Sequence, residues 1–517
     1  MFECKRSLYA TLVVMVIAAA GAVAILYATH PGIGIYSDSV EYLNLARRLL
    51  TGHGFTILDI DGDADPVTRF PFIYPTLLAL PGLFKVDLLV GARWLGAILF
   101  FGNVLLIGTI SYLRCGNSIG SAAQAAILGC ASYDLLSYHT IMLSDAASML
   151  FVVLAFMFMG NYLEKPSVGS FSCAAAATAV AFATRYAASS FVLAGVAAIL
   201  LWEKRAWAKR LLDAVLFGLA SSSLMILWTL RNLRYSQGPT GRHLSFHPIL
   251  NMDLVKEILL GISTWVSNGE LHGAGFRIRV ALLVVLFLVV VVAALQSSLR
   301  RTGGDLGAAL PLLYIFVYIL VWLLTAMFLQ ADVYIGADRH FLPIHALMII
   351  LVVQQGNRLY RSLPAGLPRI AARAVCIAIS CYFIVWMTQW ARRTHQQGQG
   401  YASSTYAQSK MLAAIRGLPK DARFYSNLPW PIGIYTDRVY DMLPIKIDDA
   451  TLKENESYWS DMADFAETMR EDGVYLAYFK GGDDWFAFPS VKDVESFVPL
   501  RVVMETEDGT IYEAATH

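Results

Sequence analysis

Ile35-Tyr36-Ser37-Asp38-Ser39-Val40-Glu41-Tyr42-Leu43-Asn44-Leu45-Ala46-Arg47-Arg48-Leu49-Leu50, followed by Thr51-Gly52-His53-Gly54-Phe55, decides how the rest of the chain is read. Tyr42, Leu45, Ala46 and Leu49 recur at helical spacing, and Gly52 or Gly54 supplies a stop. The spacing predicts a short amphipathic helix lying along a membrane surface, with Asp38 at its start. Asp38 and Glu41, three residues apart, also fit a capping arrangement, in which a carboxylate accepts backbone N–H bonds and the Glu reaches back.

What flanks this stretch is apolar. The chain opens on a short basic segment, Met1 to Arg6, and an apolar run to about Tyr27. That run is long for the core of a signal peptide and matches the roughly 20 residues needed to cross a bilayer, so it reads as an uncleaved first span. On the other side, Pro66-Val67-Thr68-Arg69-Phe70-Pro71-Phe72-Ile73-Tyr74-Pro75 leads into the apolar stretch Thr76 to Phe84. Prolines 71 and 75 pin an extended lead-in to a helix. Arg69 then stands at the interface, where a guanidinium suits a phosphate or pairs with Asp59, Asp61, Asp63 or Asp65.

The whole chain fits this membrane setting. Of its 517 residues, 57% are hydrophobic and 15% charged, against about 25% charged in soluble domains. With 40 basic and 39 acidic residues, charge offers no case for nucleic acid. Apolar runs recur about eleven times, near 7–28, 88–112, 119–137, 145–162, 171–184, 187–202, 211–229, 279–296, 308–328, 341–355 and 374–391. The fifth and sixth share one stretch broken at Thr184-Arg185-Tyr186, so a single tilted span is the alternative there.

Lys5, Arg6, Arg114, Lys165, Lys204, Arg205, Lys209, Arg210, Arg300, Arg301, Arg358, Arg361, Arg369 and Arg373 fall in alternate short loops. The positive-inside rule then puts the N-terminus in the cytoplasm and the C-terminal region outside, in a plasma (inner) membrane protein. Three long segments lie outside: 30–87, 231–277 and the region from 394 onward. The last reads as a small α/β domain, with strands at 422–426, 473–479 and 500–503 and a helix over 458–471. The domain division is therefore 1–393 and 394–517. The six cysteines lie in or beside apolar runs, without a CxxC pair, and read as small buried hydrophobes. Asp61-Gly62-Asp63-Ala64-Asp65 lacks the downstream Glu of a calcium loop and reads as a solvated acidic turn. Trp265, Trp430, Trp459 and Trp485 fall in outer segments, where packing is the default and sugar stacking the alternative.

Taken together, these features resemble the GT-C glycosyltransferases, in particular the protein-mannosyltransferase and aminoarabinose-transferase group. The resemblance rests, in order, on Asp38, Tyr42, Ala46-Arg47-Arg48-Leu49, Gly52-His53-Gly54 and Phe70-Pro71-Phe72-Ile73-Tyr74-Pro75. It continues with Leu143-Ser144-Asp145, with Leu230-Arg231-Asn232 and Gly238-Pro239-Thr240-Gly241, and with Asp338-Arg339-His340-Phe341-Leu342-Pro343. Where that family places a double proline, this chain has Phe70-Pro71-Phe72.

The resemblance implies a GT-C fold with a catalytic first outer loop (30–87). It also implies a donor sugar on a polyprenyl phosphate, an acceptor that is a glycan, lipid or protein of the cell surface, and inversion at the anomeric carbon. Phosphate is a good leaving group, so one carboxylate base suffices, and Asp38 is the candidate. Arg69, Arg185 and Arg339 are candidates for the phosphate. Each also has a structural alternative: Arg185 as a snorkelling or helix-pairing residue, and Arg339 as the partner of Asp338 or Asp332. Glu41, Tyr42, Asp145 and His139 complete the candidate set, with N-capping as the alternative for Asp145 and Ser144. No cofactor is read from the residues. The resemblance allows a divalent ion near the first-loop Asp, although His139 and Asp145 form no recognised ligand spacing. A transporter or flippase of a lipid-linked glycan is the rival reading. It is disfavoured because ionisable residues cluster at span ends and no inverted repeat is visible. A non-catalytic glycan-binding scaffold is the second rival.

Overall fold

The computed structural model describes residues 2–58, 60–235, 240, 246, 258–259, 261–265, 274–300, 306–328, 337–436, 438–448, 453–471, 473–481 and 487–515. Gly238, Pro239, Gly241, Trp485, Asp59, Asp332 and the Asp338 side chain lie outside the described residues.

Every expected apolar run falls in a helix. These are α1 (Phe2–Ala28), α4 (Leu88–Arg114), α5 (Ile119–Cys130) with α6 (Tyr133–His139), α7 (Asp145–Glu164), α8 (Val168–Phe182), α9 (Ser189–Trp202), α10 (Trp207–Asn232), α11 (Ala274–Arg300), α12 (Leu306–Phe328), α14 (Leu342–Ser362) and α15 (Leu367–Gln397). Between them come α2 (Ser37–Leu50) and α3 (Ile73–Leu83), and a single turn, α13 (Ala337–His340), precedes α14. Among the described residues seven helices, α1, α4, α7, α10, α11, α12 and α15, are long and apolar enough to cross a membrane. The protein is an integral membrane protein with a predominantly helical membrane part.

The departures from the expected spans have local causes. The run over 119–137 is two helices, because the chain breaks at Ala131 and Ser132 restarts it by accepting from the Leu135 amide. The stretch 171–202 is two helices, as first expected and not one tilted span, separated by the extended Arg185 and a 3-10 turn at Tyr186–Ala188. Cys115 and Cys130 are buried as expected, whereas Cys173, Cys376 and Cys381 are exposed. The exposed three lie on outward faces of α8 and α15, the latter bordered by exposed Val375, Ile377 and Ile379. In an apolar solvent such a face needs no protein cover.

The two ends of the bundle differ. At one end Arg114 pairs with Glu164, Arg205 with Glu203 and Asp213, and Arg361 donates to the Cys115 carbonyl at 2.6 Å. At the other end lie α2, α3, α13 and the C-terminal unit. Helix α15 runs on to Gln397, where Gly398 (φ +73°) ends it. The chain then passes alongside the start of the first loop. The Tyr401 amide donates to the Ile35 carbonyl at 2.7 Å, and the Gly34 amide to that of Thr140 at 2.8 Å. Gly400 (φ +54°) is required there, since a Cβ would come within 2.1 Å of the Ile35 carbonyl.

The C-terminal unit is a five-stranded sheet in the order β4-β3-β7-β9-β8: β3 (Arg423–Ser426), β4 (Val439–Met442), β7 (Val474–Phe479), β8 (Leu500–Glu505) and β9 (Gly509–Ala514), with β5 (Ile447–Asp448) and β6 (Lys453–Glu454) paired apart from it. β4, β3 and β7 are parallel; β9 runs antiparallel to β7, and β8 pairs antiparallel with β9. Side chains alternate as a strand requires. Tyr425 and Leu476 face the helix Tyr458–Thr468, while Phe424, Ala477 and Phe479 face the helices Lys410–Gly417 and Pro429–Tyr435. The three strands and the helix expected from the sequence are present. β4 and β9 carry weaker signals, four and six residues with little alternation.

This unit grips the first loop. The acidic turn 61–65 is exposed, as expected, at the tip of a hairpin of β1 (Thr56–Leu58) and β2 (Ala64–Pro66). Asp61 pairs with Arg423 at 3.1 Å, and Ile60, 5% exposed, joins the apolar cluster of Tyr425, Leu443 and Tyr458. Trp430 and Tyr440 pack towards α2, and the Asn44 side chain donates to the Tyr440 hydroxyl at 3.0 Å. Helix α2 is thus held between α3 and the C-terminal unit, and does not lie bare on a membrane surface. Ile60→Ala is expected to cost about 2–5 kcal/mol and to lower the melting temperature of the purified protein. Asp61→Ala, which removes an exposed pair, is expected to cost under about 1 kcal/mol. Equal shifts for the two would contradict the docking.

Candidate functional site

Asp38 lies in the first turn of α2, but it does not cap the helix. The side chain of Ser39 reaches back to the Tyr36 amide at 3.1 Å, and the Asp38 carboxylate is taken by Arg339, Nη1 to Oδ2 at 2.9 Å. Among the described residues the carboxylate partner of Arg339 is Asp38, 301 residues away in sequence. Burial works against the Arg339 charge; the Asp38 and Asp145 carboxylates outweigh it, so the guanidinium is held above its ordinary range.

A second pair stands beside the first. Arg185, in the break between α8 and α9, donates from Nη1 to Asp145 Oδ2 at 2.6 Å and to Ser144 Oγ at 3.3 Å. Its other nitrogen, Nη2, lies 3.2 Å from Nδ1 of His340. A guanidinium can only donate, so that nitrogen is the acceptor and a neutral His340 carries its proton on Nε2. Asp145 and Ser144 open α7 without capping it; Ser144 Oγ is instead 3.1 Å from the Tyr42 hydroxyl. Burial pushes the Tyr42 hydroxyl far above its usual range, and the Asp38 charge adds to this.

Arg185, Arg339, His340 and Asp145 line one small pocket, about 260 Å³ of free space including its mouth, walled by Tyr314 and Tyr318 of α12. The Tyr318 hydroxyl donates to the His340 carbonyl.

The other candidates separate from this centre. Arg69 pairs with Glu41, Nε to Oε2 at 2.9 Å, lies over the Phe70 ring and is half exposed. It does not line the pocket. Burial pushes the Glu41 carboxyl up, with Arg69 opposing. His139 does not join Asp145. Its ring is fully buried, Nδ1 against the Leu135 carbonyl and Nε2 at 2.9 Å from Asn103 Nδ2, and Asn103 in turn holds the Ala146 carbonyl. It supports the start of α7 from behind. The tryptophans have packing roles: Trp265 stacks on His345, Trp430 on Tyr401, and Trp459 donates to Glu454.

Further residues hold the loop in place. Arg231 donates to the carbonyls of Val67 and Phe55, while the Asn232 side chain and the Tyr186 hydroxyl both donate to that of Thr68. His340 and Tyr318 carried no role in the sequence reading. The available signal was Tyr314 and Tyr318 at i, i+4 on an otherwise apolar helix, which puts two hydroxyls on one face.

Among the described residues no three His, Cys, Asp or Glu side chains converge as a metal site. The donor set does not fit a divalent ion in this conformation, because Asp38, Glu41 and Asp145 are each bound to a guanidinium.

No family model and no curated protein matches the sequence. Solved structures do match. The crystal structure of ArnT from Cupriavidus metallidurans in the apo state superposes with a TM-score of 0.61 at 12% identity, over 96% of this chain and 97% of that one. The same protein bound to undecaprenyl phosphate superposes with a TM-score of 0.57 at 12% identity, over 96% and 97%. The arabinofuranosyltransferase AftD from Mycobacteria gives 0.53 at 14% identity, over 98% of this chain and 40% of that one.

This is the GT-C fold. Within it, the centre sits where the first loop meets the start of α7, the break between α8 and α9, and α13.

Arg185→Ala strands Asp145, whose side chain is 2% exposed. The variant is expected to lose about 3–5 kcal/mol, read as a lowered melting temperature. Removing both partners (Arg185→Ala with Asp145→Ala) should recover part of that loss. Additive losses would show that the pair does not act as one unit.

Proposed function

We propose that the chain is an inverting glycosyltransferase that moves a sugar from a polyprenyl-phosphate-linked donor to a glycan, lipid or protein acceptor. The observation that carries this reading is the grouping of one reachable carboxylate, Asp38, with two guanidinium groups around a pocket at one end of an apolar bundle. The ArnT structure with undecaprenyl phosphate supports a lipid phosphate as the ligand for such a fold.

The chemistry follows from charge. The acceptor hydroxyl attacks the anomeric carbon and gives its proton to the Asp38 carboxylate. The bond from that carbon to the phosphate oxygen breaks, and its electron pair leaves with polyprenyl phosphate. Negative charge therefore grows on the phosphate, where Arg185 and Arg339 provide donors. One displacement inverts the centre. Arg69, held on Glu41 away from the pocket, has a lesser part, orienting α2 against the Pro-rich segment.

The working side of the membrane follows from the alternation of basic loops: N-terminus in the cytoplasm, C-terminal unit and centre outside. The grouping of Arg114, Arg205 and Arg361 at one end of the bundle, with α2 and the C-terminal unit at the other, supports this reading. Single cysteines introduced at exposed Trp459 and Lys165 report on this. An impermeant maleimide should label the first in intact cells and the second only after lysis; the reverse pattern inverts the orientation.

Transfer from purified polyprenyl-phosphate sugars is the direct test. Asp38→Asn and Asp38→Ala should each lower turnover by about 10²-fold or more. Unchanged turnover removes Asp38 from the chemistry. Absence of transfer by the unmodified protein across a broad panel of donors and acceptors would favour a flippase or scaffold.

A further inference from the structure

The two guanidinium groups are held very differently. Arg185 is locked, with Asp145, Ser144 and His340 in contact and an Asp145 side chain only 2% exposed. Arg339 shares its ion pair with Asp38, and the two side chains are 23% and 26% exposed. An ion pair that still reaches solvent is worth little and is readily exchanged, whereas opening a buried one is costly. Arg339 also lines the pocket and Asp38 is not among its lining residues, so an anion in the pocket and the Asp38 carboxylate would compete for one guanidinium.

The pairing has a chemical consequence. A carboxylate oxygen that accepts a hydrogen bond from a guanidinium has that lone pair engaged, and is a poorer receiver for an acceptor proton.

We propose that Arg339 exchanges partners: the donor phosphate takes its hydrogen bond, and Asp38 is released as a base only when a phosphate occupies the pocket. This rests on the reading of Asp38 as base and of the pocket as a phosphate site. It makes Arg339 the residue that confines the chemistry to phosphate-bearing donors, and it keeps Asp38 from activating water at an empty centre. Arg185 stays on Asp145 throughout and serves as the fixed half of the phosphate cradle.

The exchange predicts an unusual sign. If Asp38 and phosphate compete for Arg339, removing the Asp38 charge tightens phosphate binding even though it stops transfer. Binding of a short-chain polyprenyl monophosphate to the full-length protein in nanodiscs, with the corresponding polyprenol as blank, measures this. Asp38→Asn is expected to bind roughly five- to tenfold more tightly than the unmodified protein, and Asp38→Ser to shift the same way. In an Arg339→Gln background the same Asp38 substitution should produce no tightening, because the competed group is gone. Equal or weaker binding by both Asp38 variants overturns the exchange, as does tightening that persists without Arg339. Binding and transfer by the unmodified protein, without tightening in the variants, would sink the exchange and leave the proposed function standing. No binding by any form removes both.

Discussion

Two guanidinium groups at the end of an apolar helix bundle are costly unless each is paired, and the arrangement of this protein follows from how Arg185 and Arg339 are paired. Their carboxylates come from different parts of the chain: Asp145 from the first turn of α7, Asp38 from the first turn of α2. Meeting that demand fixes where α8 and α9 break, where α13 sits before α14, and how the first loop lies across the bundle. The same contacts leave a pocket lined by Arg185 and Arg339 and walled by Tyr314 and Tyr318, so the atoms that pair the two carboxylates are those an anion there would meet.

The surrounding scaffold is built to keep the first loop in register. Its start is threaded between the Thr140–Met142 segment and the chain leaving α15, Ile60 near its hairpin tip is buried in the core of the C-terminal unit, and its return strand is tied by Arg231, Asn232 and Tyr186. Backbone carbonyls of Phe55, Val67 and Thr68, which would otherwise be costly to bury, take these side-chain donors. Asp38 is therefore positioned by residues more than 100 positions away, and the C-terminal unit is part of the centre's support.

Much of this was legible in the sequence, because lipid enforces a coarse pattern. Apolar runs marked every membrane helix, Gly52 and Gly54 marked the end of α2, and alternating strands marked β3 and β7. Asp38, Arg185, Arg339 and Asp145 were legible as a set because ionisable residues at span ends must be accounted for. Their partners were not, since pairing is a property of the packed bundle: Arg339 finds Asp38 at long range, and Arg69 takes Glu41. The capping reading of Asp38 failed for a local reason, Ser39 being one residue nearer the geometry required. His139 looked like a companion of Asp145 by proximity in sequence. The turn at Thr140–Ser144 sends it into the core on Asn103 instead. His340 was invisible as a contributor because its role depends on the Arg185 break reaching it.

The brevity of α8 and α9 has an effect on the surrounding lipid. Helices of 15 and 14 residues rise about 22 Å, well under the roughly 30 Å of a hydrocarbon core. Where their outward faces border acyl chains, the leaflets must dip to meet them. Headgroups there ride several ångströms deeper than elsewhere, bringing the water boundary down to the level of the Arg185 break. A lipid reaching this flank would present its polar end at that level.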